Sequence, residues 1–158
     1  MPCRRLLLFL IALVLMLPVP VLEVTGDGAT YRRLLVPGWP AIITLSYTHS
    51  VELTPVEEVY EVRPGGMVMV SMAWNSFGAG LPDTYDVASP EGFSRYQRTP
   101  VGTVLSYWFI PINNVALDIG LTRVFEGPDR DSAVEVSVRW LPASAAAAAV
   151  LGSSSAPI

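Results

Sequence analysis

The first 22 residues contain one unbroken apolar run, Leu6 to Leu17, which Arg4 and Arg5 precede and Pro18 and Pro20 follow. Basic residues, about a dozen apolar residues and then helix-breaking prolines are typical of a secretory signal. A membrane-spanning helix needs roughly 20 apolar residues, and the stretch from Leu6 to Leu22 falls slightly short of this and carries the two prolines near its end. We therefore predict an N-terminal apolar helix within residues 1–22. It is a cleaved signal peptide, an uncleaved membrane anchor or a buried first element.

The leader also predicts where the protein resides. Positive charges ahead of an apolar segment stay in the cytoplasm, so either a signal or an anchor places the remaining chain outside. We expect an exported, extracytoplasmic protein that is secreted or held at the membrane by its N-terminal segment. Val24–Gly26 and Ala29 are the candidate cleavage regions. Cys3 is the only cysteine and precedes the apolar run, which excludes an intrachain disulfide and a lipoprotein attachment site.

Beyond residue 22, apolar and polar positions alternate in short runs separated by turn residues, as in half-buried strands. Residues 23–29 are predicted to form a linker or a short edge strand. Residues 75–103 are predicted to form long loops with one short strand near residues 84–87. The other predicted strands are Tyr31–Val36, Ala41–Thr48, Val56–Val62, Met67–Trp74, Val104–Ile112, Val115–Phe125 and Ala133–Trp140. The pattern predicts an all-β domain over residues 23–140, a single β-sandwich or flattened barrel of about seven to eight antiparallel strands.

Two turn signals predict how these strands pair. Pro64-Gly65 suits the centre of a type II turn, with the glycine at positive φ, and predicts a hairpin of Val56–Val62 with Met67–Trp74. Asn113-Asn114 suits a two-residue turn and predicts a hairpin of the strands on either side. Residues 141–158, rich in alanine and serine, predict a flexible tail.

Composition and charge exclude some classes of function. The chain has 158 residues, which suits one domain, and its net charge of −4 argues against a nucleic-acid partner. All ten basic residues are arginine, so lysine-based Schiff-base chemistry is excluded.

The most unusual segment contains the only histidine, His49, followed by Ser50 and by several carboxylates. Neighbouring residues on a strand point to opposite faces, so His49 could not activate Ser50 as a base without a special turn, and no oxyanion-hole motif accompanies them. We predict that the protein is not an enzyme and carries no cofactor. Three roles stay open for His49: pinning its loop through a hydrogen bond, recognising a ligand or partner, or binding a metal ion. Candidate carboxylates for a metal are Glu52, Glu57, Glu58, Asp83 and Asp86.

A second unusual segment, Asn75–Asp83, includes Gly78, Gly80 and a following Leu-Pro pair. It lacks the lysine and Ser/Thr of a phosphate-binding loop. It is either a structural turn or a loop that lines one end of the domain together with the His49 segment. We expect most of the nearby aromatic residues to lie in the core: Trp74, Tyr85, Phe93, Tyr96 and Trp108.

The two segments together resemble a family, the domain of unknown function 1850. The resemblance rests on Tyr47–Glu52 (Tyr-Thr-His-Ser-Val-Glu), Thr54–Glu58 (Thr-Pro-Val-Glu-Glu) and Phe77–Pro82 (Phe-Gly-Ala-Gly-Leu-Pro), and covers roughly Tyr31 to Trp140. It implies a small exported protein associated with TRAP solute transporters of the TAXI type, and it implies no reaction. Its motif residues are His49, Ser50, Glu57 or Glu58, Gly78 and Gly80.

The leading hypothesis is therefore a non-enzymatic extracytoplasmic accessory or binding domain of a TAXI-type TRAP transporter. Its partner would be the permease or the solute-binding subunit. The alternative is a metal- or small-ligand-binding β-domain independent of a transporter. The candidate binding residues, from both segments, are His49, Ser50, Glu52, Glu57, Glu58, Gly78, Gly80 and Asp83.

Overall fold

The computed structural model describes residues 2–78, 80–127 and 129–153 and is mostly β-structure. It contains eleven strands in these residues, more than the seven to eight predicted. The helices are α1 (Pro2–Met16) and α2 (Ala143–Leu151), and Pro111–Asn113 form one 3₁₀ turn. The strands are β1 (Pro18–Gly26), β2 (Ala29–Leu34), β3 (Ala41–Thr48), β4 (Pro55–Arg63), β5 (Gly66–Trp74), β6 (Val87–Ser89), β7 (Gly92–Gly102), β8 (Val104–Phe109), β9 (Ala116–Ile119), β10 (Thr122–Glu126) and β11 (Ser132–Pro142).

The strands form two antiparallel sheets whose inner faces share one core. The four-stranded sheet has the order β2-β1-β11-β8, and the seven-stranded sheet has the order β10-β9-β3-β4-β5-β7-β6. Leu22 and Val136 from the first sheet and Ile43 and Leu117 from the second belong to the same buried cluster. The prediction of an antiparallel, sandwich-like all-β fold is confirmed.

The boundary between the N-terminal helix and the β-domain lies closer to the N-terminus than the sequence predicts. Strand β1 begins at Pro18, inside the predicted leader, and lies between β2 and β11 rather than at an edge. Pro18 pairs with Pro142, and Thr25 pairs with Glu135. The predicted linker or edge strand at residues 23–29 is therefore wrong. Val21, Leu22 and Val24 are each at most 1% exposed, so burial on both faces accounts for the near-continuous apolar run that resembled the end of a leader.

The hairpin of β4 and β5 is confirmed, and Arg63 pairs with Gly66 across it. The positive φ lies at Gly66, at +132°, rather than at Gly65 as the type II turn required.

The predicted hairpin at Asn113-Asn114 is wrong. Strand β8 pairs with β11 in the four-stranded sheet, whereas β9 pairs with β3 and β10 in the other sheet. Pro111 ends the extended run, and Asn114 adopts a left-handed conformation with φ of 43°, so this segment crosses between sheets. The hairpin instead joins β9 to β10, at Gly120, whose φ is +62°.

Strand β7 lies in residues that the sequence predicted to form loops. It pairs with β5 along most of its length, with two register shifts, and carries the short β6 on its other side. Pro100 and mostly half-exposed or exposed positions mask its apolar alternation. Such a strand lies near a sheet edge, where proline and irregular pairing are tolerated.

Helix α2 occupies residues that the sequence assigned to a flexible tail. It packs against β1, β2, β11 and α1, and Ala146 is fully buried. The backbone N–H of Ala143 donates to the carbonyl of Leu17, 2.9 Å away, which joins the start of α2 to the end of α1. Residues 154–158 of the predicted tail lie outside the described residues. Within the described part of the chain, no helix is long and apolar enough to cross a membrane.

The sandwich has two distinct ends, which β11 connects. We call the end where α1 enters, at Pro18 and Pro142, the base. Ser132, at the other end of β11, pairs with Phe109, and ten residues of strand at about 3.3 Å each place this far end about 33 Å from the base. Strand β3 also ends at the far end, because the Asn113 side chain donates to the carbonyl of Thr48 over 2.9 Å.

Candidate functional site

The two unusual segments of the sequence meet at the far end of the sandwich. The hydroxyls of Thr54 and Ser76 are 3.2 Å apart. The Glu52 carboxylate lies against Gly78, where a Cβ atom would overlap it, so glycine is required at 78 for this approach. Gly80 has φ of +83° and open space around it, which makes it a backbone turn rather than a packing position. Ala79, between them, lies outside the described residues.

The loop of His49 is organised by the histidine itself. The imidazole Nδ1 faces the backbone N–H groups of Val51 and Glu52, at 3.4 and 3.3 Å. The His49 backbone N–H donates to the Thr54 carbonyl, and the Leu53 N–H donates to the His49 carbonyl, both over 2.8 Å. Because Nδ1 accepts, the neutral ring carries its hydrogen on Nε2. His49 thus holds its own loop, and no hydrogen bond within residues 2–78, 80–127 and 129–153 engages its Nε2.

An open cleft of about 350 Å³ lies beside this loop. Residues of both sheets and the connection between them line it: Tyr47, His49, Ser50, Tyr107, Trp108, Phe109, Ile110 and Asn113. Trp108 is 66% exposed. Asn113 is committed to the fold, since its side-chain carbonyl accepts from the Ile110 N–H and its amide donates to Thr48. The cleft therefore has aromatic walls, and His49 and Ser50 are the polar residues of the His49 loop that line it.

A buried carboxylate lies directly beneath the cleft. Glu58 is 7% exposed on the inner face of β4, and three tyrosine hydroxyls surround it. Oε1 accepts from Tyr47 at 3.0 Å, and Oε2 accepts from Tyr60 at 2.6 Å and from Tyr107 at 2.9 Å. The Tyr60 and Tyr107 hydroxyl oxygens are 2.6 Å apart. Since Tyr107 belongs to the other sheet, this tyrosine–carboxylate cluster ties the two sheets together with hydrogen bonds.

The cluster perturbs its tyrosines strongly. Burial, and then the nearby Glu58 charge, raise the pKa of Tyr47, Tyr60 and Tyr107 far above the ordinary phenol value. A phenolate there would lose its hydration and would face a carboxylate at hydrogen-bonding distance. All three hydroxyls therefore remain protonated donors while the domain is folded.

The other candidate carboxylates, Glu57 and Asp83, lie away from the tyrosine–carboxylate cluster. Glu57 is exposed on the opposite face of β4, where it lines a second cleft of about 280 Å³ with Ser46, Thr48 and Asn75. Asp83 is exposed in the loop before β6. The structure thus brings His49 and Ser50 together at one cleft, places Glu52 and Gly78 beside their loop, and sets Glu58 below it. Among residues 2–78, 80–127 and 129–153, no group of three or more His, Cys, Asp or Glu is placed to hold a metal ion.

Sequence reasoning missed Tyr47, Tyr60 and Tyr107 as partners of Glu58. A signal was present, because the alternation of Val56, Glu58, Tyr60 and Val62 puts the carboxylate on the apolar face of its strand. The sequence also predicted that most of the aromatic residues near the Asn75–Asp83 segment lie in the core. Trp74 is buried, whereas Tyr85, Tyr96 and Trp108 are 48–66% exposed.

Removing the buried carboxylate should weaken the fold markedly. In Glu58→Ala, three buried hydroxyls lose their acceptor and a cavity opens, so we expect the free energy of unfolding to fall by about 3 kcal/mol. Glu57→Ala is the matched control on the exposed face, with an expected change within about 0.5 kcal/mol. Denaturant unfolding of both variants tests this, and equal effects would contradict the assigned role of Glu58.

The comparisons with known proteins identify a family for this part of the chain. A protein-family model described as a domain of unknown function (DUF1850) matches residues 43–123, which is just over half of the chain. The matched residues include most of β3, all of β4 to β9, the His49 loop and the tyrosine–carboxylate cluster. Comparisons with curated proteins and with solved structures gave no match.

Proposed function

We propose that this chain, which belongs to the DUF1850 family, is a non-enzymatic extracytoplasmic accessory domain that binds a partner in its far-end cleft and serves a TAXI-type TRAP transporter. The cleft is the observation that supports binding. Residues of both sheets line it, Trp108 is exposed in it, and no hydrogen bond among the described residues engages the Nε2–H of His49. The association with a transporter comes from the family resemblance alone.

The geometry favours binding over catalysis. A serine hydrolase needs its histidine to accept the serine proton. Here Nδ1 of His49 accepts from the backbone N–H groups of its own loop, so in the neutral ring Nε2 carries the hydrogen and neither nitrogen is an open acceptor. None of the hydrogen bonds described for the chain joins His49 to Ser50. The buried carboxylate, Glu58, is held by phenols whose raised pKa keeps them protonated donors. These are features of a rigid surface rather than of a proton-transfer site.

The position of the cleft favours one transporter subunit over the other. It lies at the far end, about 33 Å along β11 from the residue where α1 enters the sandwich. If α1 marks the membrane side, the cleft faces the surrounding solution. A solute-binding subunit reaches that side freely, whereas a permease lies within the membrane. We therefore propose the solute-binding subunit as the partner in the cleft.

Co-purification from native membranes tests this proposal. The full chain, tagged at its C-terminus, is extracted in mild detergent and compared with two variants of the cleft. Trp108→Ala removes the exposed aromatic wall. His49→Asn removes the Nε2 donor, while the asparagine oxygen can still accept from the loop backbone. We expect the native chain to retain the solute-binding subunit and both variants to lose most of it at an unchanged melting temperature.

Val104→Ala is the matched control for Trp108→Ala, because Val104 is also exposed on β8 but does not line the cleft. It should retain the subunit as the native chain does. Recovery of no transporter subunit with the native chain would end the transporter proposal. Recovery that is equal for native and cleft variants would remove the cleft from it.

A small molecule is a second candidate for the same cleft, because its volume of about 350 Å³ falls in the range of small-molecule sites, roughly 300–1,000 Å³. A ligand at about 100 times its dissociation constant adds about 2.7 kcal/mol of stability. Melting the purified protein with calcium, zinc and a panel of candidate transported solutes tests this alternative. A stabilisation that Trp108→Ala abolishes supports it, and unchanged melting throughout counts against it.

A further inference from the structure

The apolar N-terminal helix is continuous with the sandwich. Only Leu17 separates α1 from β1, and β1 pairs with both β2 and β11. Cleavage at either candidate region, near Val24–Gly26 or at Ala29, would remove most or all of an interior strand and its buried side chains. The domain as folded is therefore incompatible with cleavage at those sites.

Helix α1 presents apolar side chains in every direction. Each described side chain from Arg4 to Met16 is exposed, and the large apolar ones are 43–66% exposed. A helix with a single apolar stripe packs that stripe on a protein core, whereas one that is apolar all round requires an apolar environment on all sides. The only charges on α1 are Arg4 and Arg5, at the end away from the domain.

The base of the sandwich carries a second set of exposed apolar side chains next to α1. Trp140 pairs with Pro20, two residues into β1, and Leu34 pairs with Val21. Trp39 forms an isolated β-bridge with Val36. The preceding residue, Leu35, donates its N–H to the Pro20 carbonyl, which places this turn beside the start of β1. These four side chains, which we call the base patch, are 45–78% exposed: Leu34, Val36, Trp39 and Trp140. Tryptophan, like tyrosine, is enriched at the boundary between lipid and water.

The distances agree with a bilayer that contacts both surfaces. From Arg5 to Met16 the helix rises about 17 Å, and from there to Pro20 the chain, through Leu17 and the start of β1, adds at most about 13 Å. End to end, these reach about 30 Å, which is the thickness of a typical hydrocarbon core. Helix α1 alone is shorter than this, so the base of the domain supplies the remaining apolar length.

We propose that α1 remains attached to the mature protein and lies in the lipid bilayer, and that the base patch contacts the lipid headgroup region directly. The lipid surface is thus the partner of Trp39 and Trp140, and the domain stands on the membrane with its far-end cleft outward. This inference does not depend on what binds in the cleft.

Two measurements on the full chain test the proposal. The intact mass of the protein extracted from membranes should include α1. Tryptophan fluorescence is then measured in vesicles of phosphatidylglycerol and an acyl-chain-brominated phosphatidylcholine, because bromine quenches only nearby indoles. The chain supplies its own control, since Trp108 is as exposed as the base tryptophans but lies at the far end, while Trp74 is buried.

We expect the native protein to be quenched, the Trp39→Phe/Trp140→Phe variant to lose most of that quenching, and Trp108→Phe to retain it. Both variants change exposed side chains, and unchanged melting temperatures will confirm that they fold. A mature mass that lacks α1 overturns the proposal. Absence of quenching overturns it as well, and so does a loss in Trp108→Phe that equals the loss in the base variant. None of these results decides whether the cleft binds a partner, which the cleft variants test separately; a mature chain without α1 removes only the argument for the solute-binding subunit over the permease.

Discussion

Above about pH 10 the domain is expected to lose stability steeply and to unfold before about pH 12. Tyr47, Tyr60 and Tyr107 have a pKa raised well above the ordinary phenol value of about 10, first by burial and then by the charge of Glu58. The unfolded chain therefore releases these protons near pH 10, whereas the folded domain holds them.

The sign follows from proton linkage. A raised pKa in the folded state contributes stability that is fully present below the unfolded pKa and is lost as pH rises through the folded pKa. Each proton that only the unfolded chain releases lowers the free energy of unfolding by about 1.4 kcal/mol per pH unit. Three such protons over two pH units would remove about 8 kcal/mol, which is comparable to the 5–15 kcal/mol that stabilises a typical domain.

Denaturant unfolding at a series of alkaline pH values measures this slope, and phenolate absorbance reports ionisation directly. Interpretation is simple because the chain contains no lysine, which would otherwise titrate in the same range. Tyr60→Phe removes one of the three protons and should lower the slope by about 1.4 kcal/mol per pH unit. If the absorbance of all six tyrosines rises before the domain unfolds, the buried cluster does not hold its protons as described.

Local alternation was enough to predict several strands and the all-β class, because a half-buried strand shows a period of two. Ala41–Thr48 is a strand with the predicted bounds. The same reasoning failed where tertiary contacts decide the structure. Asn113-Asn114 suits a tight turn locally, yet Asn113 bonds to Thr48, 65 residues away, and the chain crosses to the other sheet.

The candidate site was predictable only in part, because some of its contacts join residues far apart in the sequence. The sequence identifies His49, Ser50 and Gly78 as unusual, and their loops do meet through Glu52 and Gly78. Glu58 appeared equivalent to its neighbour Glu57, although strand alternation points them in opposite directions. Its partner Tyr107 belongs to the other sheet and lies 49 positions along the chain, and no spacing rule connects residues across a sandwich.

Removing α1 should leave the domain folded, whereas removing β1 should abolish folding. A chain that begins at Pro18 retains every strand and should melt cooperatively, while a chain that begins at Asp27 should show no cooperative transition. Strand β1 buries Val21, Leu22 and Val24, each worth about 1.5–3 kcal/mol, in addition to its hydrogen bonds with two neighbours. The Glu23 carboxylate, bonded to Arg32 over 2.6 Å, would be lost with it.

Circular dichroism and thermal melting of both truncated chains measure this difference, with a chain that begins at Glu23 as the informative intermediate. That chain keeps Val24 but lacks Val21 and Leu22, so we expect it to be strongly destabilised or unfolded. Cooperative melting of the Asp27 chain at the temperature of the Pro18 chain would contradict the interior position of β1 and would make cleavage near Gly26 compatible with the fold again. The expected result means that any processing that leaves this domain intact must cut before Pro18, within or next to the helix that we propose lies in lipid.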